Sequence, residues 1–197
     1  MNLVDRVKRI LLSPKTEWEV IDAEQTTTQE LYTRYIMPLA AIGPIAQLIG
    51  STVFGVPIPF VGTYRVPIGS AITQAIVGYL LTLAATYVLA LIIDALAPTF
   101  NGRRSQIQAL KLAAYSMTAS WLAGIFGLIP ALSFLAILGL YSLYLLYLGL
   151  PVLMKSPRDK AVGYSAVVII TGIVLWMVIA AIAAMFMSLP RAGMTIP

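Results

Sequence analysis

The sequence predicts an all-α, polytopic membrane protein: a five-transmembrane-helix bundle preceded by short amphipathic helices on the cytoplasmic side. Apolar residues make up 59% of the 197 and charged residues only 11%, against roughly half and a quarter in soluble domains. Five apolar blocks, 35–56, 67–97, 109–129, 131–154 and 161–189, lie between charged or Pro-rich breaks. Each reaches the roughly 18–20 residues that cross a hydrocarbon core of about 30 Å. None alternates polar and apolar residues as barrel strands do, and in lipid only helices and closed barrels satisfy the backbone. The expected plan is a cytoplasmic collar over 1–30, a five-helix membrane domain over 31–190 and a short non-cytoplasmic tail over 191–197.

The collar comes first. Leu3, Val7, Ile10 and Leu11 share a helical face, with Arg6, Lys8 and Arg9 placed largely elsewhere, which predicts a short amphipathic helix. Two readings are open for it: a helix lying on anionic lipid, with Arg6, Lys8, Arg9 and Trp18 as surface anchors, or a helix packed on the end of the bundle. Ser13-Pro14 closes it and starts a second helix, Ser as N-cap and Pro in the first turn. Thr16 with Glu19 is an alternative capping box, and Thr27 with Glu30 is another just ahead of the first span. Trp18 and Ile21 are expected to dip toward the membrane surface, with Glu17, Glu19, Asp22 and Glu24 making the stretch acidic. The charges Asp5, Arg6, Lys8 and Arg9 break the first apolar run, so a cleaved leader is not expected.

In the first span Pro38 and Pro44 each remove a donor and crowd the preceding turn, predicting a kink or break. The connection 57–67, rich in Pro and Gly, is expected to be a short outer loop. The second block, at 1.5 Å per residue, is about 45 Å long and must tilt, break or protrude. Ala119/Ala123, Ser120/Gly124 and Ala180/Ala184 are small-residue pairs that allow close helix approach. Tyr141, Tyr144 and Tyr147 sit toward the end of the fourth span, where an interfacial belt supplies partners for their hydroxyls.

Orientation follows from Lys and Arg. With five spans, eleven of the thirteen basic residues fall on one side: Arg6, Lys8, Arg9, Lys15, Arg34, Arg103, Arg104, Lys111, Lys155, Arg158 and Lys160. Only Arg65 and Arg191 fall on the other. The positive-inside rule then places the N-terminus in the cytoplasm and the C-terminus across the membrane. This topogenic role accounts for the basic balance, and nucleic acid is not expected as a partner.

The chain has no Cys and no His, which excludes disulfides, thiol nucleophiles, imidazole bases and Cys/His zinc sites. Six of the eight carboxylates precede the first span and Asp159 lies in a connection, leaving Asp94 alone within a span. Paired-acid chemistry needs two facing carboxyls, so no enzyme and no cofactor is expected. Asp94 is a candidate intramembrane polar site by default, with Tyr87 seven residues before it on the same face and Tyr115, Tyr144 and Tyr147 as further lining. The competing reading is a structural ion pair with Arg103, Arg104 or Lys160.

Leu12-Ser13-Pro14 with Trp18, the stretch Leu96-Ala97-Pro98-Thr99-Phe100-Asn101-Gly102, and the runs Ala113-Ala114-Tyr115-Ser116 and Tyr144-Leu145-Leu146-Tyr147-Leu148-Gly149-Leu150-Pro151 resemble bacterial members of the Yip1 family. The resemblance implies a five-helix domain with a cytoplasmic N-terminus, in the inner membrane, without an assigned reaction. Eukaryotic relatives act in vesicle traffic with Rab-type GTPases. This chain has too short a segment ahead of its first span to carry that partner over. Two functions compete: a membrane-organising protein that binds lipid, a membrane-protein partner or a second copy of itself, and a small-solute or ion transporter or channel using Asp94 and the tyrosines.

Overall fold

The computed structural model describes residues 2–58 and 62–187, with side chains described as far as 181. The tail 191–197 and Arg191 lie outside the described residues. Helix α1 (Leu3–Leu12) is capped by Asn2, whose side chain accepts from the Val4 N–H. Helix α2 (Pro14–Ala23) starts on Pro14, and Ser13 caps it without a side-chain hydrogen bond. The Thr16 hydroxyl donates back to the Ser13 carbonyl instead of forming a box with Glu19. Thr27 does cap the next helix, accepting from the Glu30 N–H at 3.1 Å.

Four helices among the described residues are long and apolar enough to cross a membrane: Thr28–Phe54, Ile68–Phe100, Pro130–Leu153 and Arg158–Ala181. The first is irregular where its prolines predict it. A wide π turn over Tyr32–Ile36 precedes Pro38, making room for a ring that would otherwise meet the carbonyl four residues back, and the helix is interrupted at Ala41 ahead of Pro44. Two tyrosines brace it against the second long helix through backbone carbonyls: Tyr32 to Leu83 at 2.9 Å and Tyr79 to Met37 at 3.2 Å.

Two expectations are corrected. The connection after the first long helix is more than a loop: β1 (Val56–Ile58) and β2 (Gly62–Tyr64) pair as an antiparallel hairpin, Val56 opposite Tyr64. Gly55, at φ 77°, turns the chain into it, a conformation costly for any residue with a Cβ. The block 109–129 is not one uniform helix either. It divides into Gln106–Ser116, Thr118–Ala123 and a 3₁₀ run Gly124–Leu128. The Thr118 hydroxyl donates to the Tyr115 carbonyl at 2.7 Å where the first piece ends, and in the tighter coil that follows Gly124 and Gly127 lie close to the backbone of Gly43 and Gly50.

The core lies toward one end of the bundle, the end that carries α1 and α2. Ile10, Trp18, Ile21, Ile36, Ile93, Leu112, Leu150 and Tyr164 are fully buried there. Elsewhere the helices meet through small residues: a Cβ on Gly124 would come within 2.8 Å of the Gly43 Cα, and Ser120 donates to the Gly139 carbonyl at 2.9 Å. Ile76, Leu80, Phe134, Ile170 and Trp176 are exposed on the outward faces. Apolar surface on that scale belongs against lipid.

Candidate functional site

Arg6 is the centre of the collar. Leu3, Arg6 and Ile10 are spaced three and four residues apart, so Arg6 stands on the buried stripe of α1 and not beside it. Its guanidinium donates to Glu17 at 2.6 Å and also to Glu24, and its Cζ lies 5.4 Å from the centre of the Tyr115 ring. Glu17 is buried for a parallel reason: it shares a face of α2 with Pro14, Trp18 and Ile21, all of which point inward. A buried ion pair costs desolvation on both sides and holds only when the remaining donors and acceptors are satisfied; here two carboxylates and an aromatic face surround one guanidinium.

Trp18 packs beneath this pair. Its ring meets Tyr115 edge-on at 6.4 Å and lies over Gly149, where an added Cβ would stand 2.7 Å from the indole. Tyr115 in turn contacts Tyr35 at 4.5 Å. The Thr118 hydroxyl spends its proton on the Tyr115 carbonyl, so the Tyr35 hydroxyl is the donor in its 2.7 Å bond to Thr118. Lys111, also buried, donates to the carbonyls of Ile21 at 2.8 Å and Glu24 at 2.5 Å; these are acceptors that the end of α2 leaves free. Asp22 accepts from Gln108 and from Lys155, and Tyr141 donates to the Leu11 carbonyl at 3.0 Å. The collar is therefore fastened to the middle and fourth helices along both of its own helices.

These positions correct the surface-anchor reading. Arg6 and Trp18 are buried in the protein, as is Ile21, because ion pairing and aromatic packing hold them there; Lys8 and Arg9 alone of the four anchors are exposed.

The polar residues expected to form one intramembrane site have separate surroundings. Tyr115 belongs to the collar cluster. Tyr87 accepts from Gln106 at 2.6 Å at the start of the following helix. Tyr144 and Tyr147 are each about two-fifths exposed and line a groove with Lys15 and Arg158. Asp94 lies beside Tyr164, whose hydroxyl donates to the Ile93 carbonyl, and whose ring stacks on Phe100 at 4.7 Å. The ion pair proposed for Asp94 is absent: among the described residues it pairs with neither Arg103 nor Arg104, both exposed, and its Oδ1 is buried without a hydrogen-bond partner. Asn101, in the left-handed region at φ 55°, ends the helix in a tight turn, and the Arg103 N–H bonds to the Met154 carbonyl at 2.7 Å. That turn carries the two arginines into the connection and away from Asp94.

Sequence reasoning did not find the Arg6–Glu17 pair, Lys111 or Gly149. The spacing of Arg6 with Leu3 and Ile10 was the available signal for the first. For Lys111, a lone cation inside an Ala/Leu run, flanked by Gln108, pointed to carbonyl or carboxylate acceptors nearby. Nothing in the sequence around Gly149 shows which ring it receives.

A membrane-embedded helical bundle with a docked N-terminal collar is the class that this fold defines. The Yip1 domain family matches residues 8–179, and the chain belongs to that family. No curated protein sequence and no solved structure matches it significantly.

Proposed function

We propose that this chain is a non-enzymatic, membrane-organising Yip1-family protein of the bacterial inner membrane. In this reading it has five spans, a cytoplasmic collar and a periplasmic C-terminus, and it works by binding lipid and a membrane-protein partner or a second copy of itself. The broken segment Gln106–Leu128 supplies the fifth crossing, and the eleven-to-two division of Lys and Arg supports the orientation. Recruitment of a Rab-type GTPase is not part of the proposal.

One observation carries the reading: Arg6 and Glu17, the two buried charges of the collar, are turned inward and satisfied by each other, and Lys111 of the bundle is buried against the collar's backbone carbonyls. Arg6, Glu17 and Lys111 are buried and satisfied within the protein, so they make a rigid cap on the bundle in place of a polar mouth. A rigid cap on apolar helices suits a scaffold that orders its lipid surroundings. Reconstitution of the purified chain into vesicles is the test. Vesicles that stay tight to ions and small solutes while changing shape or lipid distribution with protein density agree with it. Selective, saturable flux would overturn it in favour of transport.

A further inference from the structure

A groove of about 790 Å³ runs between the α1–α2 turn and the start of the last helix, Arg158–Met187. Lys15 comes to it from the collar, Tyr144 and Tyr147 from the fourth helix, Ser156 from the final connection and Arg158 from the first turn of the last helix. Lys15 and Arg158 are both exposed, and neither is in an ion pair among the described residues. One carboxylate on the lining, Glu19, opposes these two cations. Ser156 is only 5% exposed, and its Oγ is buried with no hydrogen-bond partner in the protein. A buried hydroxyl left unsatisfied costs free energy unless something reaches it.

The groove also meets the N-terminus of a 30-residue helix whose first turn carries Asp159 and whose Lys160 N–H is bonded to the Pro157 carbonyl at 3.0 Å; the preceding N–H groups lack intrahelical acceptors, and the backbone dipoles favour an anion. Two unpaired cations, an orphaned hydroxyl and a helix N-terminus together match a phosphate. The source of the phosphate follows from the flanks. Tyr144 and Tyr147, 43% and 41% exposed, with Leu148 and Val152, continue the groove onto helices whose outward faces are apolar, so a molecule seated there has a polar end at the collar and hydrocarbon along the bundle.

We propose that this groove binds the headgroup of an anionic phospholipid, its phosphate held by Lys15, Arg158 and the Ser156 hydroxyl. The proposal rests on the membrane-embedded, lipid-binding reading above and names the lipid class and its site.

The test uses the full chain in neutral detergent, titrated separately with short-chain phosphatidic acid, short-chain phosphatidylcholine and inorganic phosphate, with binding read from the melting temperature. Phosphatidic acid is expected to bind saturably and more tightly than the other two. Lys15→Gln with Arg158→Gln should weaken it at least about tenfold, since two charge-assisted hydrogen bonds are lost. Ser156→Ala should weaken it by a smaller factor, and Lys8→Gln with Arg9→Gln, exposed and outside the groove, should leave it unchanged. Each variant's melt without lipid reports its folding, and Lys15→Gln alone carries the same reading if the double variant does not fold.

Equal weakening by the Lys8/Arg9 variant, or undiminished binding by the Lys15/Arg158 variant, overturns the site. Inorganic phosphate binding as tightly as the lipid overturns the lipid assignment. A chain that binds phosphatidic acid here yet conducts ions in vesicles overturns the proposed function and spares the site; a tight, non-conducting chain indifferent to the lipid does the reverse.

Discussion

Arg6 Nη1 stands 2.6 Å from Glu17 Oε1, with the two side chains 5% and 4% exposed, so helices α1 and α2 are joined by a charge pair that water scarcely reaches. Removing one member leaves the other buried and uncompensated, which typically costs about 3–5 kcal/mol. Arg6→Ala is therefore expected to lower the melting temperature in detergent sharply. Arg6→Met with Glu17→Met should cost less than the two single changes summed, because apolar side chains of similar length fill the site without desolvated charge. Additive losses would mean that the pair is not coupled.

Trp18 and Gly149 form the second fastening. Trp18→Ala removes a fully buried indole, a change worth about 3–5 kcal/mol in a packed core, and should expose residues 13–30 to protease in inverted vesicles. Gly149→Ala puts a Cβ 2.6 Å from a Leu112 methyl and 2.7 Å from the indole, and overpacking of this kind costs about 1–3 kcal/mol. Combining Gly149→Ala with Trp18→Ala should be less than additive, since the truncation removes two of the three atoms that clash. Cleavage unchanged by Trp18→Ala would show that the collar is held without the indole.

Four of the five expected spans, and the irregular first helix, were legible because length, hydropathy and proline act locally: Pro38 and Pro44 constrain their own turns whatever the neighbours do. The cap at Thr27 was legible for the same reason. The collar cluster was less so. Trp18 reads equally well as an interfacial or a core residue until Gly149, 131 residues later, is seen to open the space for it. Asp94 is the opposite case: Arg103 and Arg104 are near it in sequence and, among the described residues, pair with it nowhere in the fold. The left-handed turn at Asn101 separates them, and an Asn at that position is only a weak sign of such a turn.

The orientation is tested by reporter fusions. A periplasm-dependent reporter joined after Arg191 is expected to be active, and one joined within 101–105 inactive, because the basic residues concentrate on the collar side. The reverse pattern would invert the protein. Activity at neither junction would require an even number of crossings, and the segment Gln106–Leu128 would be the one to reassign.

Asp94 gives the last prediction. Its Oδ1 is buried and unpartnered, and the neighbouring Tyr164 hydroxyl spends its proton on the Ile93 carbonyl. The carboxyl therefore takes no stabilisation from that hydroxyl or from Arg103 and Arg104. Asp94→Asn keeps the shape of the side chain and removes a charge whose burial nothing compensates, so stability in detergent should hold or rise and not fall. Arg103→Gln and Arg104→Gln should each combine additively with it, with coupling under about 0.5 kcal/mol, as for residues that share no partner. A loss of several kcal/mol on Asp94→Asn, partly restored by Arg103→Gln, would establish an ion pair in lipid. The turn at 97–102 would then have to open to let the arginine reach back along the helix.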